Sequence, residues 1–169
     1  MPRLHELNAL PPAQFVARLG GVFEHSPWVA ESVVAARPFA TVEALHKAMV
    51  EAVRGASAER QLKLLQAHPD LAGKEAQRGS LTAQSTAEQK SAALDRLSRE
   101  EMASITSYNA AYRARFGFPF IICVRNHDKA GIFAAFAQRL DNTAEVEFAT
   151  ALGEVYQIAR LRLEQLLDR

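Results

Sequence analysis

The chain is short of the residues and patterns that announce several whole classes of protein. It holds one cysteine, Cys123, among 169 residues. No internal disulfide can form, no zinc spacing exists, and a reducing compartment is expected. Charge of one sign is also missing. Lys plus Arg is 20 and Asp plus Glu is 19, for a formal net charge of +1. That balance excludes the basic surface of a nucleic-acid binder, and no run of five or six like charges marks an interaction tail. No stretch reaches the roughly 18 to 20 apolar residues that cross a bilayer. The start, "MPRLHELNALPPAQF", has no apolar core of a secretory signal, and the end, "LLDR", is not a peroxisomal tripeptide. A soluble, cytoplasmic protein without a membrane partner is expected. Glycine-rich phosphate loops, GxSxG elbows, His-x-x-x-His pairs and HExxH are all absent, so no metal site is expected.

Hydrophobic residues make up 49% of the chain, enough for a real core, and the length favours one domain spanning residues 1–169. Helix punctuation recurs. "LPPAQFVARLGG" sets prolines at a helix start and glycines at its end. "SPWVAESVVAARP" offers Ser26 as N-cap, with Pro27 at the first helical position and Pro38 beyond the end. Thr41 opens a helix that carries Val42, Leu45, Met49, Val50 and Val53 at helical spacing and closes on Gly55. "SAERQLKLLQA" puts Ala58, Leu62 and Leu65 on one face. Two literal capping boxes follow, Ser85-Thr-Ala-Glu88 and Ser98-Arg-Glu-Glu101. The second opens a helix that ends at Gly117. Further helices are expected over about Lys129 to Leu140 and about Ala144 to Leu167, the last with a seam of Leu152, Val155, Ala159, Leu163 and Leu166. The fold class is therefore all-α, a single-domain helical bundle of about seven to eight helices. Two segments break the pattern: a polar, glycine-containing loop from Leu71 to Gln84 with room for a short helical turn, and an extended apolar segment near 118–124, "FPFIICV", with no second strand to pair with.

Three places can carry chemistry. The residue before a proline is biased out of the α region, so a helix should stop near Ala67 and leave His68 just past its end. His68 follows Leu65 by three residues and so continues the apolar face towards the interior. It either caps helix carbonyls or handles a proton on a bound molecule. "STAEQ", Ser85 to Gln89, is either a plain capping box or a helix start whose free N–H groups suit carbonyl or anionic atoms. In the second reading Glu88 would also raise the pKa of His68 and orient it. In "FGFPFIICVR", the main chain of an extended run needs hydrogen-bond partners. It is either a buried connector or a cradle for a polar planar ligand, with Arg125 able to hold a carboxylate by two parallel bonds. His46 reads as a satisfied core histidine, and Cys123 as an inert thiol among apolar residues.

Taken together and in this order, "HPDLAGK", "STAEQ" and "FGFPFIICVR" resemble the family of 2-oxo-4-hydroxy-4-carboxy-5-ureidoimidazoline (OHCU) decarboxylases of urate breakdown. The resemblance runs from "LNALPPAQFVARLGGVFEHSPWVAE" to "EVYQIARLRLEQLL", nearly the whole chain. It implies an all-helical, single-domain, cofactor-free enzyme, generally a homodimer, that acts after urate oxidase and hydroxyisourate hydrolase and releases CO2 to give (S)-allantoin. The family's catalytic histidine falls on His68, with Glu88 beside it. Its ligand-contacting positions fall on Pro69, on Ser85, Thr86, Ala87, Glu88 and Gln89, and on Phe120, Ile121, Ile122, Cys123 and Val124. Arg125 matches an arginine found after the apolar run in many members. The competing reading is a non-catalytic helical module that binds a ureide or another protein.

Overall fold

The computed structural model describes residues 2–167. Ten α-helices and two 3-10 turns account for the regular structure, and no β-strand occurs among the described residues. The helices are α1 (Leu4–Ala9), α2 (Pro12–Leu19), α3 (Trp28–Val33), α4 (Val42–Arg54), α5 (Ala58–Gln66), α6 (Lys74–Arg78), α7 (Ala83–Ser91), α8 (Arg99–Phe116), α9 (Lys129–Arg139) and α10 (Ala144–Leu166), with 3-10 turns at Val34–Ala36 and Val124–Asn126. The all-α expectation holds. Two short helices raise the number above the expected seven or eight: α1, whose six residues carry little periodicity, and α6, a single turn inside the polar loop.

Local sequence sets most helix boundaries. The Thr41 hydroxyl accepts the Ala44 N–H and starts α4. Ser98 and Glu101 form the reciprocal capping box of α8, and Gly117 ends that helix at φ +81°. Two expectations are corrected. Ser26 is not the N-cap of α3: Pro27 holds that place, and the Ser26 hydroxyl donates to the Glu24 carbonyl. Ser85 does not cap α7 either. Thr82 does, its hydroxyl accepting the Ser85 N–H at 3.2 Å, and the helix begins at Ala83. An earlier start yields a longer helix from a cap of nearly equal quality, and it moves Glu88 into the helix interior.

The chain falls into two compact units, residues 2–67 with 156–167, and residues 68–155. In the first, α3 packs on α4 and α2 over a core that includes Phe15, Val29, Leu45, Met49 and Leu163. The buried Arg162 guanidinium donates to Glu24 at 2.7 Å and to the Gly21 carbonyl. His46 shares a 2.8 Å hydrogen bond with the Tyr156 carbonyl, as a satisfied histidine should.

In the second unit an aromatic cluster surrounds the extended run. Phe120 stacks on Phe136 at 3.7 Å between ring centres, and Tyr112 meets Phe120 edge-on at 5.4 Å. A buried ionic cluster lies against it. Arg139 donates to both Glu147 oxygens, at 3.1 and 2.9 Å, and Tyr112 and Asn142 donate to the same carboxylate.

Two glycines test the backbone argument with opposite signs. A Cβ at Gly117 or Gly153 would meet nothing within 4 Å, so only conformation matters, and only Gly117 has positive φ. Gly117→Ala should cost about 1 kcal/mol and lower Tm by about 2–4 °C. Gly153→Ala, inside α10, should stabilise by about 0.5–1 kcal/mol. Thermal unfolding of both variants reads the two signs; equal shifts would contradict the assignment.

Candidate active site

All the residues singled out from sequence lie in the second unit. α5 stops at Gln66 with Ala67 as its cap, and His68 follows, 7% exposed. The pre-proline constraint thus ends the helix as expected, and the position three residues past Leu65 turns the imidazole inward. Pro69 and Asp70 are half-buried. Asp70 receives the Arg113 guanidinium at 3.1 Å, a half-exposed pair that contributes under about 1 kcal/mol.

α7 presents an unusual face. Its buried residues are Ser85, Glu88 and Gln89, at the i, i+3, i+4 spacing of one helix side. A helix that faces the interior ordinarily turns hydrocarbon inward. Burying a hydroxyl, a carboxylate and an amide together is costly unless each is bonded. Of the three, Gln89 is bonded to the loop after His68, and the face as a whole turns polar groups inward. Thr86 and Ala87 lie on the exposed side of the same helix. Because Thr82 caps α7, the Ser85 and Thr86 N–H groups are bonded to its hydroxyl and carbonyl. The free amides expected at the start of "STAEQ" are not there, and the side chains carry the polarity instead.

Gln89 joins this face to the His68 loop. Its Oε1 accepts the Ala72 N–H at 2.9 Å, and its Nε2 donates to the Asp70 carbonyl at 3.4 Å. Asn109, from α8, donates Nδ2 to the Leu71 carbonyl at 2.9 Å. Ala72 sits at φ +49°, a left-handed conformation that costs a non-glycine residue about 1–2 kcal/mol. Such strain persists only where surrounding bonds over-determine it.

The extended run is buried without a break from Phe118 through Val124. Its hydrogen-bonding problem is answered in part by side chains. Arg139 donates Nη1 to the Ile121 carbonyl at 2.7 Å and lies over the Phe120 ring at 4.4 Å. Glu154 accepts the Cys123 N–H at 3.3 Å. The peptide N–H and C=O of Ile122, 4% exposed, have no hydrogen-bond partner among the described residues. The turn Val124–Asn126 packs on α7. Burial, with the charges of Glu154 and Glu88, pushes the Cys123 thiol up to about 11, so the thiol is inert at neutral pH and Glu88 lies within electrostatic reach of the run. Arg125 is exposed on that turn.

The structure thus joins α7 to the His68 loop and to the extended run. The residues that sequence reasoning missed are Asn109, Arg139, Glu147 and Tyr112. Arg139 and Glu147 stand only eight positions apart but on two helices, and no local pattern announces their pairing. Among the described residues, no three His, Cys, Asp or Glu side chains gather in a way that holds a metal ion, and no helix is long and apolar enough to cross a membrane.

Burial pushes the Glu147 carboxyl up, but its bonds from Arg139, Tyr112 and Asn142 prevail and hold it below the usual carboxylate range. The folded state therefore binds this proton less readily than the unfolded chain. The stabilisation is complete above the ordinary glutamate pKa of about 4.3 and is lost as pH falls through the lower folded value. Urea unfolding between pH 7 and pH 3 should show a steeper acid loss in the wild type than in Glu147→Gln. Parallel slopes would contradict this account of the cluster.

Comparison with known proteins bears on this arrangement. The family profile of OHCU decarboxylase matches residues 8–164. A 2-oxo-4-hydroxy-4-carboxy-5-ureidoimidazoline decarboxylase of Haloferax volcanii is 46% identical over 162 residues, covering 96% of this chain and 94% of its own. The putative decarboxylase of the same name from Homo sapiens is 40% identical over 97% of this chain and 95% of its own. Among solved structures, that of (S)-allantoin synthase superposes with a TM-score of 0.79 at 35% identity, over 98% of this chain and 54% of the longer one.

Proposed function

This chain belongs to the OHCU decarboxylase family, and on that premise we propose that it removes CO2 from 2-oxo-4-hydroxy-4-carboxy-5-ureidoimidazoline to give (S)-allantoin, without a cofactor, in urate degradation. The observation that carries the reading is the inward polar face of α7, Ser85, Glu88 and Gln89, fastened through Gln89 to the loop that follows His68. A non-catalytic helical module has no need to bury these three side chains.

The substrate bears a carboxylate and a hydroxyl on one ring carbon, beside a C=N bond. When the bond to CO2 breaks, its electron pair moves into that C=N system, so no external electron sink is needed. The former imine nitrogen and the ureido-bearing carbon each then gain a proton, the carbon on one face only, and the hydroxyl gives up its proton to become the ring carbonyl, so that one proton is taken up for each CO2 released. The protein must hold the carboxylate out of the ring plane and supply that proton with stereochemical control. His68 is the general acid–base. Glu88 binds substrate N–H or OH groups and tunes the imidazole. Ser85, Gln89 and the main chain of Ile122 meet the ureido and ring amides. Phe120, Ile121, Cys123 and Val124 bound the site with hydrocarbon. Pro69 stiffens the link from His68 to the loop. Arg125 supplies positive charge for the incoming anion from its exposed turn. Thr86 and Ala87, on the outer side of α7, contribute only by holding that helix. We further propose that the chain acts as one domain, as a homodimer, and in the cytoplasm.

A positioned acid or base contributes about 100- to 10,000-fold, so His68→Asn should lower turnover by that factor while the fold persists. Glu88→Gln should also lower it. Since Glu88 lies inside α7 rather than at its cap, the loss cannot be assigned to capping. The assay couples freshly oxidised urate and hydroxyisourate hydrolase to this protein and follows optical activity. Accumulation of dextrorotatory or levorotatory product only with the wild type supports the reading. Racemic product at an unaltered rate rejects it.

A further inference from the structure

Three helices fasten the three residues that follow His68 and Pro69. Gln89 from α7 bonds Ala72 and Asp70, Asn109 from α8 bonds Leu71, and Gln77 from α6 donates to the Ala72 carbonyl at 3.2 Å. Packing alone does not confine this loop. Ala72, Gln77 and Gln89 line a cavity of about 300 Å³, with Leu81, Leu94 and Met102 on its other walls. The loop has room to relax if its ties are cut, and Ala72, held at φ +49°, has a conformational reason to do so.

Asn109 is the tie that packing least explains. It is 8% exposed, its Nδ2 serves the Leu71 carbonyl, and its Oδ1 has no hydrogen-bond partner among the described residues. A leucine of similar volume would bury no unbonded acceptor. The asparagine therefore earns its place through the donor. Between Leu71 and His68 stand only Asp70 and Pro69, and the proline ring fixes its own φ. A shift of the Leu71 carbonyl therefore passes to the imidazole with little slack.

We propose that Asn109 is a positioning residue for the reaction: by holding the Leu71 carbonyl it keeps the His68 imidazole in the attitude that proton transfer requires. This rests on the assignment of His68 as acid–base given above. Asn109 touches no reacting atom in this account. Its effect runs through the loop, so it falls on the chemical step and not on substrate binding.

The test compares wild type, Asn109→Leu and Gln77→Met in the coupled optical assay and by NMR titration of the His68 ring, identified by its loss in His68→Asn. Misplacing a catalytic group by about 1 Å costs on the order of 100-fold. Asn109→Leu should lower kcat towards that factor with KM within about twofold. Its His68 titration midpoint should move while that of His46, in the other unit, stays. Gln77→Met, at an exposed position, folds in any case and should lower kcat less, in the same direction. If Asn109→Leu fails to fold, Gln77→Met decides alone. Wild-type kcat in the folded variants, or a rise in KM with kcat and the His68 titration unchanged, overturns the proposal. A wild-type protein that gives racemic product overturns the functional reading instead, and the titration still reports whether Asn109 governs His68.

Discussion

An extended stretch of main chain inside a helical protein must find hydrogen bonds that no neighbouring strand supplies. That constraint organises the second unit. Arg139 reaches the Ile121 carbonyl and Glu154 reaches the Cys123 amide. Arg139 can be buried only because Glu147 neutralises it, and Glu147 only because Tyr112 and Asn142 bond its remaining lone pairs. Removing one member of such a cluster strands a buried charge at a cost of about 3–5 kcal/mol. The cluster thus holds one wall of the site in register. The Ile122 peptide has no hydrogen-bond partner among the described residues, and under the proposed function the ureide, rich in amide N–H and C=O groups, supplies one.

The opposite wall follows a similar logic. A histidine placed before proline cannot continue its helix, so the loop after it needs fastening from elsewhere. Gln89 supplies that fastening from the helix that also turns Ser85 and Glu88 inward. One element, α7, therefore turns three polar side chains inward and braces the loop that follows His68. The Cys123 thiol, shifted up by burial and by Glu154 and Glu88, stays protonated at neutral pH.

How much of this was legible in sequence depended on range. Thr41, Ser98 and Gly117 mark helix ends through bonds within four residues, and the structure keeps them. In the α10 seam, Leu152, Val155, Ala159 and Leu163 are buried and Leu166 is half-buried, because period alone fixes which side the seam faces. The box at Ser85 was misread because Thr82 and Ser85 both satisfy the capping rule, and the three extra residues of helix decide between them. That shift turns Ser85, Glu88 and Gln89 to one side. The bonds of Asn109 to Leu71 and Tyr112 to Glu147 span 38 and 35 positions, and nothing local encodes them. The histidine was visible because proline after it is a local constraint; the groups that hold it in place were not.

The central claim is that His68, the inner face of α7 and the main chain at Ile122 enclose one ureide. A crystal structure of the protein soaked in (S)-allantoin tests it most directly. The account predicts the ring within hydrogen-bond distance of the His68 imidazole, the Glu88 carboxylate and the Ile122 peptide. Allantoin bound away from these groups, or a closed hydrocarbon interior where the ring should lie, would contradict it.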